Sequence, residues 1–338
     1  MKLSSYIGRF RKCRVVVLGD MMLDRYIFGR ATRISQEAPV PVVHVHGEKA
    51  VPGGAANVAR NVLSLGGNVE VAGVTGKDLN GENLKSLLAG AGAGVKGLFA
   101  CPKRPTTVKI RLLAGNQQVV RIDYEELTRI ASHEQKKLQA FVEREVASPE
   151  AGALILEDYA KGVFDRAFMQ KMVDFARKNG KIVALDPHPK GDYPVQNLTF
   201  MTPNRLEAFA LAGMEDPSRE EDPKEDEALR KVADKLLKEW RLDYLLITLG
   251  ADGMALFLPR GKMVHIPTEA RQVFDVSGAG DTVMATMVLS LLAGASPENA
   301  ARIANSAAGV VVGRVGTSAI EADVLRGVLD AQSHQSFA

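Results

Sequence analysis

The run Val15-Val16-Val17-Leu18-Gly19, closed by Asp20, decides how this chain folds. Consecutive β-branched residues favour extended backbone. No polar residue alternates with the apolar ones, so both faces of such a strand must be covered, as in a sheet with helices on either side. Similar runs recur at Leu154–Leu156, Ile182–Asp186, Phe200–Thr202 and Leu245–Leu249. Between them lie longer stretches with helical periodicity, at 55–66, 80–90, 132–147, 165–179, 204–213, 226–240, 278–294 and 297–313. Strands and helices alternating at this length imply βαβ units and an α/β fold with a mostly parallel sheet.

Two regions depart from that grammar. Residues 25–52 and 105–124 read as short strands with period-two alternation. The prolines Pro39 and Pro41 beside Val42-Val43-His44-Val45-His46 suggest an edge strand. Thr107–Leu113 and Val119–Tyr124 flank Ala114-Gly115-Asn116, a hairpin signal. Together these pieces predict a small β-sheet standing off the main one, placed to act as a lid.

Composition narrows the function. Forty-three Lys+Arg against 40 Asp+Glu leave a net charge of +3 over 338 residues, which makes no case for nucleic acid. Two cysteines, Cys13 and Cys101, cannot build a disulfide framework and form no C-x-x-C, so they read as idle thiols in a reducing cytosol. The apolar run after the basic N-terminal residues is too short for a secretory signal. Val283–Ala295 is interrupted by Thr, Ser and Gly and falls short of a membrane span. The expectation is a soluble, cytoplasmic protein. Residues 215–227 hold eight acids and two prolines, which suits a solvated loop.

The strongest chemical signal is Asp275-Val276-Ser277-Gly278-Ala279-Gly280-Asp281-Thr282, followed by an apolar helix. Small residues let the backbone turn sharply and approach a ligand. A helix starting there aims free N–H groups and its positive end at whatever sits above, which favours an anion. An aspartate in that first turn can take a proton from an attacking hydroxyl. Base and anion donors together are the parts of phosphoryl transfer to an alcohol. The competing reading is a glycine-rich helix start with a dipole-favoured Asp.

Three further groups support that chemistry, each with a bland rival. Gly53-Gly54-Ala55-Ala56-Asn57 opens a helix, and Asn57 offers both donor and acceptor to a polyol; the rival is a plain loop. Asp20 and Asp24 follow the first strand, where ligands of open α/β sheets bind; either could instead be a turn or cap residue. Asn204 and Glu207 in Thr202-Pro203-Asn204-Arg205-Leu206-Glu207 could face nucleotide phosphates and Mg²⁺, or form a capping box. Other signals lead nowhere. Gly92-Ala93-Gly94-Val95-Lys96-Gly97 matches G-x-G-x-x-G but follows a helix pattern and opens none, which argues against a NAD-dependent dehydrogenase. There is no G-x-x-x-x-G-K-[ST]. His44 and His46 lack further ligands nearby.

Gly-Gly, Asn-x-x-Glu and Gly-Ala-Gly-Asp in this order resemble the PfkB/ribokinase family of sugar kinases, over roughly residues 12–330. The resemblance implies a ribokinase-like three-layer α/β/α sandwich with a β-sheet lid. It implies one kinase domain over 1–330, with lid strands inserted at about 25–52 and 105–124, and a tail at 331–338. It makes Asp281 the base and Gly278, Ala279, Gly280 and Asp281 the anion hole. Asn204 and Glu207 fall in the phosphate–Mg²⁺ region, and Thr248, Gly250, Gly253, Asn305 and Gly309 on the ATP side. ATP and Mg²⁺ are implied, with a monovalent cation as an option.

A narrower likeness is to bacterial heptose 7-phosphate kinases. It rests on Leu23-Asp24-Arg25-Tyr26, Arg33-Ile34-Ser35-Gln36-Glu37-Ala38-Pro39-Val40-Pro41-Val42, Gly53–Asn57, Gln117–Asp123, Asp158-Tyr159-Ala160-Lys161-Gly162 and Gly278–Val283. Three departures stand out. Gln36 replaces a usual Pro, Glu157 stands where Ser is common, and Asp186-Pro187-His188-Pro189-Lys190-Gly191 carries two extra residues. The likeness implies phosphorylation of the C1 hydroxyl of D-glycero-D-manno-heptose 7-phosphate, on the way to ADP-heptose for lipopolysaccharide. Asp24, Gly53, Gly54 and Asn57 would hold the sugar, with Asp158 in the same region. Arg33, Lys109, Arg111 and Lys161 are candidates for the substrate's own phosphate, or solvated lid charges. Many such kinases carry a nucleotidyltransferase domain, for which 338 residues leave no room; the expectation is a stand-alone kinase with a separate partner enzyme, dimeric through its lid. The alternatives are a related kinase for ribose, fructose 1-phosphate or a nucleoside, and a sensor that kept the fold without the chemistry.

Overall fold

The computed structural model describes residues 2–115, 117–191, 193–217, 222–269, 275–314, 316 and 318–335. Asn116 of the expected hairpin turn and residues 218–221 of the acidic loop lie outside them. A 3₁₀ segment at Leu3–Lys12 leads into β1 (Arg14–Gly19). Then come β2 (Met21–Ile34), β3 (Pro41–Gly54), α1 (Ala55–Ser64), β4 (Asn68–Gly76), α2 (Leu79–Gly90), β5 (Gly94–Cys101), β6 (Thr107–Ala114) and β7 (Gln117–Tyr124). The chain continues through α3 (Ser132–Ala147), β8 (Ala151–Glu157), α4 (Arg166–Lys178), β9 (Ile182–Asp186), β10 (Phe200–Met201), α5 (Arg205–Leu211), α6 (Glu227–Trp240) and β11 (Tyr244–Thr248). It closes with β12 (Met254–Leu258), β13 (Lys262–Ile266), α7 (Ala279–Leu292), α8 (Pro297–Val311) and α9 (Ala322–Gln335).

The main sheet runs β13-β12-β11-β10-β9-β8-β1-β4-β5, parallel except for β12 and β13. Its two faces explain the unbroken valine run. Val15 and Val17 pack in one core with α1, α7 and α8, while Val16 and Leu18 pack in the other with α3, α4 and α6. The result is a three-layer α/β/α sandwich, as the family resemblance implied. The second sheet, β3-β2-β6-β7, is the lid. It leaves the main sheet at once, since only Asp20 separates β1 from β2. Among the described residues, no helix is long and apolar enough to cross a membrane.

The sequence reading missed β4, β5, β12 and β13, and it missed α9, which runs past residue 330. Glycines interrupt the apolar pattern of β4 and β5. In the structure they make room. A Cβ on Gly73 would lie 2.5 Å from the Met21 side chain, and one on Gly97 would lie 2.4 Å from the Phe141 ring and 2.5 Å from the Val71 carbonyl. The last helix is tied back to the N-terminal segment, where the Ser4 hydroxyl donates to Asp330 Oδ1 at 2.6 Å.

Register sets up the site. Gly19 pairs with Glu157, and Glu157 pairs with Asp186. The C-terminal ends of three adjacent parallel strands, β1, β8 and β9, therefore carry Asp20, Glu157 and Asp186 in a row. Gly97→Val should destabilise the protein by about 1–3 kcal/mol, because ring and backbone must both move. Urea unfolding measures this, and an unchanged midpoint would contradict the close packing described.

Candidate active site

Gly278 adopts φ 79°, a left-handed conformation that costs a side-chain residue energy, and it caps α7 without a side chain. Gly280 and Asp281, in the first turn, thus have N–H groups with no intrahelical acceptor. Asp281 is buried at 6% exposure, and both its oxygens are held. Asn57 Nδ2 donates to Oδ2 at 2.6 Å, and the Tyr159 hydroxyl donates to Oδ1 at 2.7 Å. Burial raises the Asp281 pKa, and the Asp24 charge adds to the rise. The Asn57 and Tyr159 hydrogen bonds and the Lys109 charge oppose it. The Thr282 hydroxyl donates to Asn61 Oδ1 at 2.9 Å, which docks α7 on α1 and keeps Asn57 beside Asp281. Asn57 Oδ1 is buried with no partner among the described residues, an acceptor left for a hydroxyl.

Above this pair stands the lid. Asp24 sits opposite Lys109 and Tyr26 opposite Arg111 along β2 and β6, so all four share a face. Arg111 Nη1 reaches Asp24 Oδ1 at 2.6 Å, with little of either side chain exposed. A Cβ at Gly53 would lie 2.5 Å from Asp24 Oδ2, and one at Gly54 (φ 54°) would lie 2.7 Å from the Asp20 carbonyl. The paired glycines therefore let β3 pass under the Asp24 carboxylate. Lys109 Nζ lies 5.7 Å from the Tyr159 ring centroid, and burial lowers its pKa.

Other expected residues are placed differently. Asp20 organises a loop: its Oδ2 accepts from the Tyr159 and Lys161 amides at 2.8 and 3.1 Å, and burial pushes its pKa up to about 6. Asp158 is buried and already accepts from the Ala160 amide at 2.8 Å and from the Tyr193 hydroxyl. Lys161 pairs with Glu125 at 2.7 Å. Arg33 is exposed near the far end of β2, nine residues beyond Asp24, or roughly 30 Å along the strand. The single chain does not bring Arg33 to the site.

Nucleotide-side candidates gather at the C-terminal ends of β10 and β11. Asn204 and Thr248 form a parallel bridge, and Gly250 (φ 65°) follows at the surface. Asn204 Oδ1 accepts from the Glu207 amide at 3.0 Å and Glu207 Oε2 accepts from the Asn204 amide at 2.8 Å. The capping box therefore exists; burial first, and then the Glu207 charge, push the Asp186 carboxyl well above the usual carboxylate range. Gly253 (φ 84°) lies where a Cβ would meet the Ile266 carbonyl at 2.1 Å. Asn305 Nδ2 donates to the Pro267 carbonyl at 2.9 Å, so it pins a loop, and Gly309 lies one helical turn on in α8.

The sequence reading did not assign Glu157, Tyr159 or Asp186 to the chemistry. Glu157, Asp186 and Asp281 place carboxylate oxygens within 4.8 Å of one another. Burial, then Asp186, Asp281 and Asp158, push Glu157 well above the usual carboxylate range. The available signal was positional: an acid ends each of two adjacent strand runs.

The chain matches the pfkB family carbohydrate kinase model over residues 12–323, and it belongs to that family. The family that this model describes is one of carbohydrate kinases. It is 40% identical to the bifunctional protein HldE of Desulfatibacillum aliphaticivorans over 326 residues, 96% of this chain and 65% of that protein. The chain thus spans about two thirds of the length of that curated relative. It shares its fold with Escherichia coli phosphofructokinase-2 in complex with potassium, at TM-score 0.74 and 19% identity, covering 95% and 99% of the two chains. Arabidopsis thaliana ribokinase complexed with ribose and ATP gives TM-score 0.70 and 21% identity, covering 94% and 98%.

Tyr159→Phe removes a donor from the ionised Asp281. The base then holds its proton to higher pH, so the acid limb of the kcat profile should move upward by a measurable fraction of a unit. A profile superimposable on wild type would separate Tyr159 from the base.

Proposed function

We propose that this kinase transfers the terminal phosphoryl group of ATP to the C1 hydroxyl of D-glycero-D-manno-heptose 7-phosphate, giving the 1,7-bisphosphate and ADP, a step on the way to ADP-heptose for lipopolysaccharide. One observation carries the reaction type: Asp281 held between Asn57 and Tyr159 at an uncapped helix start. The heptose reading draws on the 40% identity to an HldE protein and on the lid residues Asp24, Lys109 and Arg111. The sugar enters beneath the lid. Asp24 and Asn57 Oδ1 accept its hydroxyls, and Gly53 and Gly54 let the ring approach the backbone. Asp281 takes the proton of the attacking hydroxyl as the O–P bond forms and the bond to ADP breaks. The Gly280 and Asp281 amides stabilise the charge moving through the phosphoryl oxygens.

The donors suit the expected groups. Glu207 and Asp186 are adjacent hard oxygen ligands of the kind Mg²⁺ takes, and they would hold the ion that accompanies ATP. Mg²⁺ supplies charge neutralisation across the phosphates. Asn204, Thr248, Gly250, Gly253, Asn305 and Gly309 line the proposed ATP side. A monovalent cation belongs to the proposal by analogy with the potassium-bound phosphofructokinase-2. The substrate's 7-phosphate is assigned to Lys109, a lid cation whose charge acts on Asp281, and Arg111 serves through its clamp on Asp24.

The lid also carries a dimer proposal. Val119, Val120, Ile122 and Tyr124 on β7 are all exposed, between 39% and 56%, which suits a second copy of this chain. The kinase family model takes residues 12–323, so nucleotidyl transfer downstream falls to a unit outside them. The proposed compartment is the cytoplasm, where ATP is available.

Asp281→Asn should lower kcat by about 10²–10⁴, the usual worth of a positioned base; near-wild-type turnover would remove it from the mechanism. A coupled ADP-release assay over sugars with and without phosphate should favour heptose 7-phosphate. Preference for ribose or fructose 1-phosphate would reassign the substrate, and no ADP release with any sugar would favour a sensor. Lys109→Ala should raise KM for the phosphorylated sugar only. An equal rise for unphosphorylated analogues would move the phosphate elsewhere.

A further inference from the structure

Glu157 sits at the end of β8 with 0% exposure, and neither carboxylate oxygen has a hydrogen-bond partner among the described residues. Leaving a buried polar group unpaired costs free energy, and a charged one costs far more. The side chain is aimed at two other acids. One oxygen each from Glu157, Asp186 and Asp281 lies within 4.8 Å of the others. Asp186 is partly exposed and opens the group to solvent. Its Oδ1 accepts from the Thr202 hydroxyl at 3.2 Å, and its Oδ2 lies 3.9 Å from where a Gly280 Cβ would stand.

Three hard oxygen donors converging on one point match a small hard cation. Carboxylate oxygens gathered within 4.8 Å of one another can close onto one such ion by small side-chain movements. A thiol or imidazole ligand, which would favour a softer metal, is not part of the set. We propose that Glu157, Asp186 and Asp281 form a divalent-cation site that fills in the resting, nucleotide-free enzyme. It shares Asp186 with the Mg²⁺ proposed to travel with ATP and differs from that site in using Glu157 and Asp281 where the other uses Glu207. The ion supplies the buried Glu157 with the partner it lacks. Coordination of Asp281 and protonation of Asp281 compete for the same oxygens, so the ion must leave that carboxylate before the sugar hydroxyl gives up its proton. The proposal holds for any sugar and does not rest on the heptose reading.

The test titrates Mn²⁺ into metal-stripped, nucleotide-free protein, following free Mn²⁺ by electron paramagnetic resonance and stability by thermal unfolding. Wild type should bind one ion with a rise in Tm. Glu157→Gln should weaken that binding by about tenfold or more, because it loses an anionic ligand. Glu207→Gln should bind as wild type does while losing turnover with MgATP. Glu157→Ser serves as a second variant, and circular dichroism of each metal-free variant establishes that it is folded. No Mn²⁺ binding by wild type at millimolar concentration overturns the site. So does wild-type affinity in folded Glu157→Gln, or loss of the ion in Glu207→Gln alone. A failed kinase panel with intact Mn²⁺ binding would sink the heptose reading and leave this one standing.

Discussion

The Asp281 carboxylate, gripped from both sides, is the constraint around which the rest is arranged. Asn57 comes from the first turn of α1, Tyr159 from the loop after β8, and Asp281 from the first turn of α7. A buried carboxylate held by two donors has one orientation and a controlled basicity. For those donors to meet, α1 must dock on α7, and the loop after β8 must fold back over the sheet. The Thr282–Asn61 hydrogen bond does the first, and the Asp20 carboxylate does the second by accepting two loop amides. Asp20 is thus a scaffold for the base, although its place after β1 suggests a ligand.

The lid depends on a similar exchange of constraint for chemistry. Asp24 would be a poor sugar ligand if its carboxylate swung freely. Arg111 fixes one oxygen, and the space left by Gly53 admits the other. Neither contact can be inferred from one strand alone. Asp24 and Lys109 become neighbours only because β2 and β6 pair in parallel, a crossover between segments more than eighty residues apart.

That difference explains what the sequence made legible. The core strands were readable because complete burial leaves unbroken apolar runs, and the helices because their faces keep a 3.6-residue period. The turn at Gly278–Asp281 was readable because its geometry admits few other residue types. The strands β4 and β5 were hidden because glycine there serves packing, whereas glycine alone signals a break. Tyr159, Glu157 and Asp186 were hidden for another reason. Their roles come from strand register, which places Gly19, Glu157 and Asp186 level across three strands. Arg33 shows the opposite case: it lies in a motif-like stretch, but within one chain β2 carries it away from Asp24.

The row of acids at the strand ends is a poor choice for stability. Asp20 is pushed up to about 6 by burial, and Glu157 and Asp186 are pushed well above the usual carboxylate range. Each holds its proton to higher pH in the folded protein than in the unfolded chain, so ionising them opposes folding. A serine or an apolar residue at 157 would relieve much of that repulsion. A fold assembled for stability alone would not gather carboxylates where helix α7 has just buried another. The concentration of like charge makes sense where cationic and polyhydroxylic ligands arrive to compensate it, and the strand ends, the lid and the uncapped helix open onto that same space.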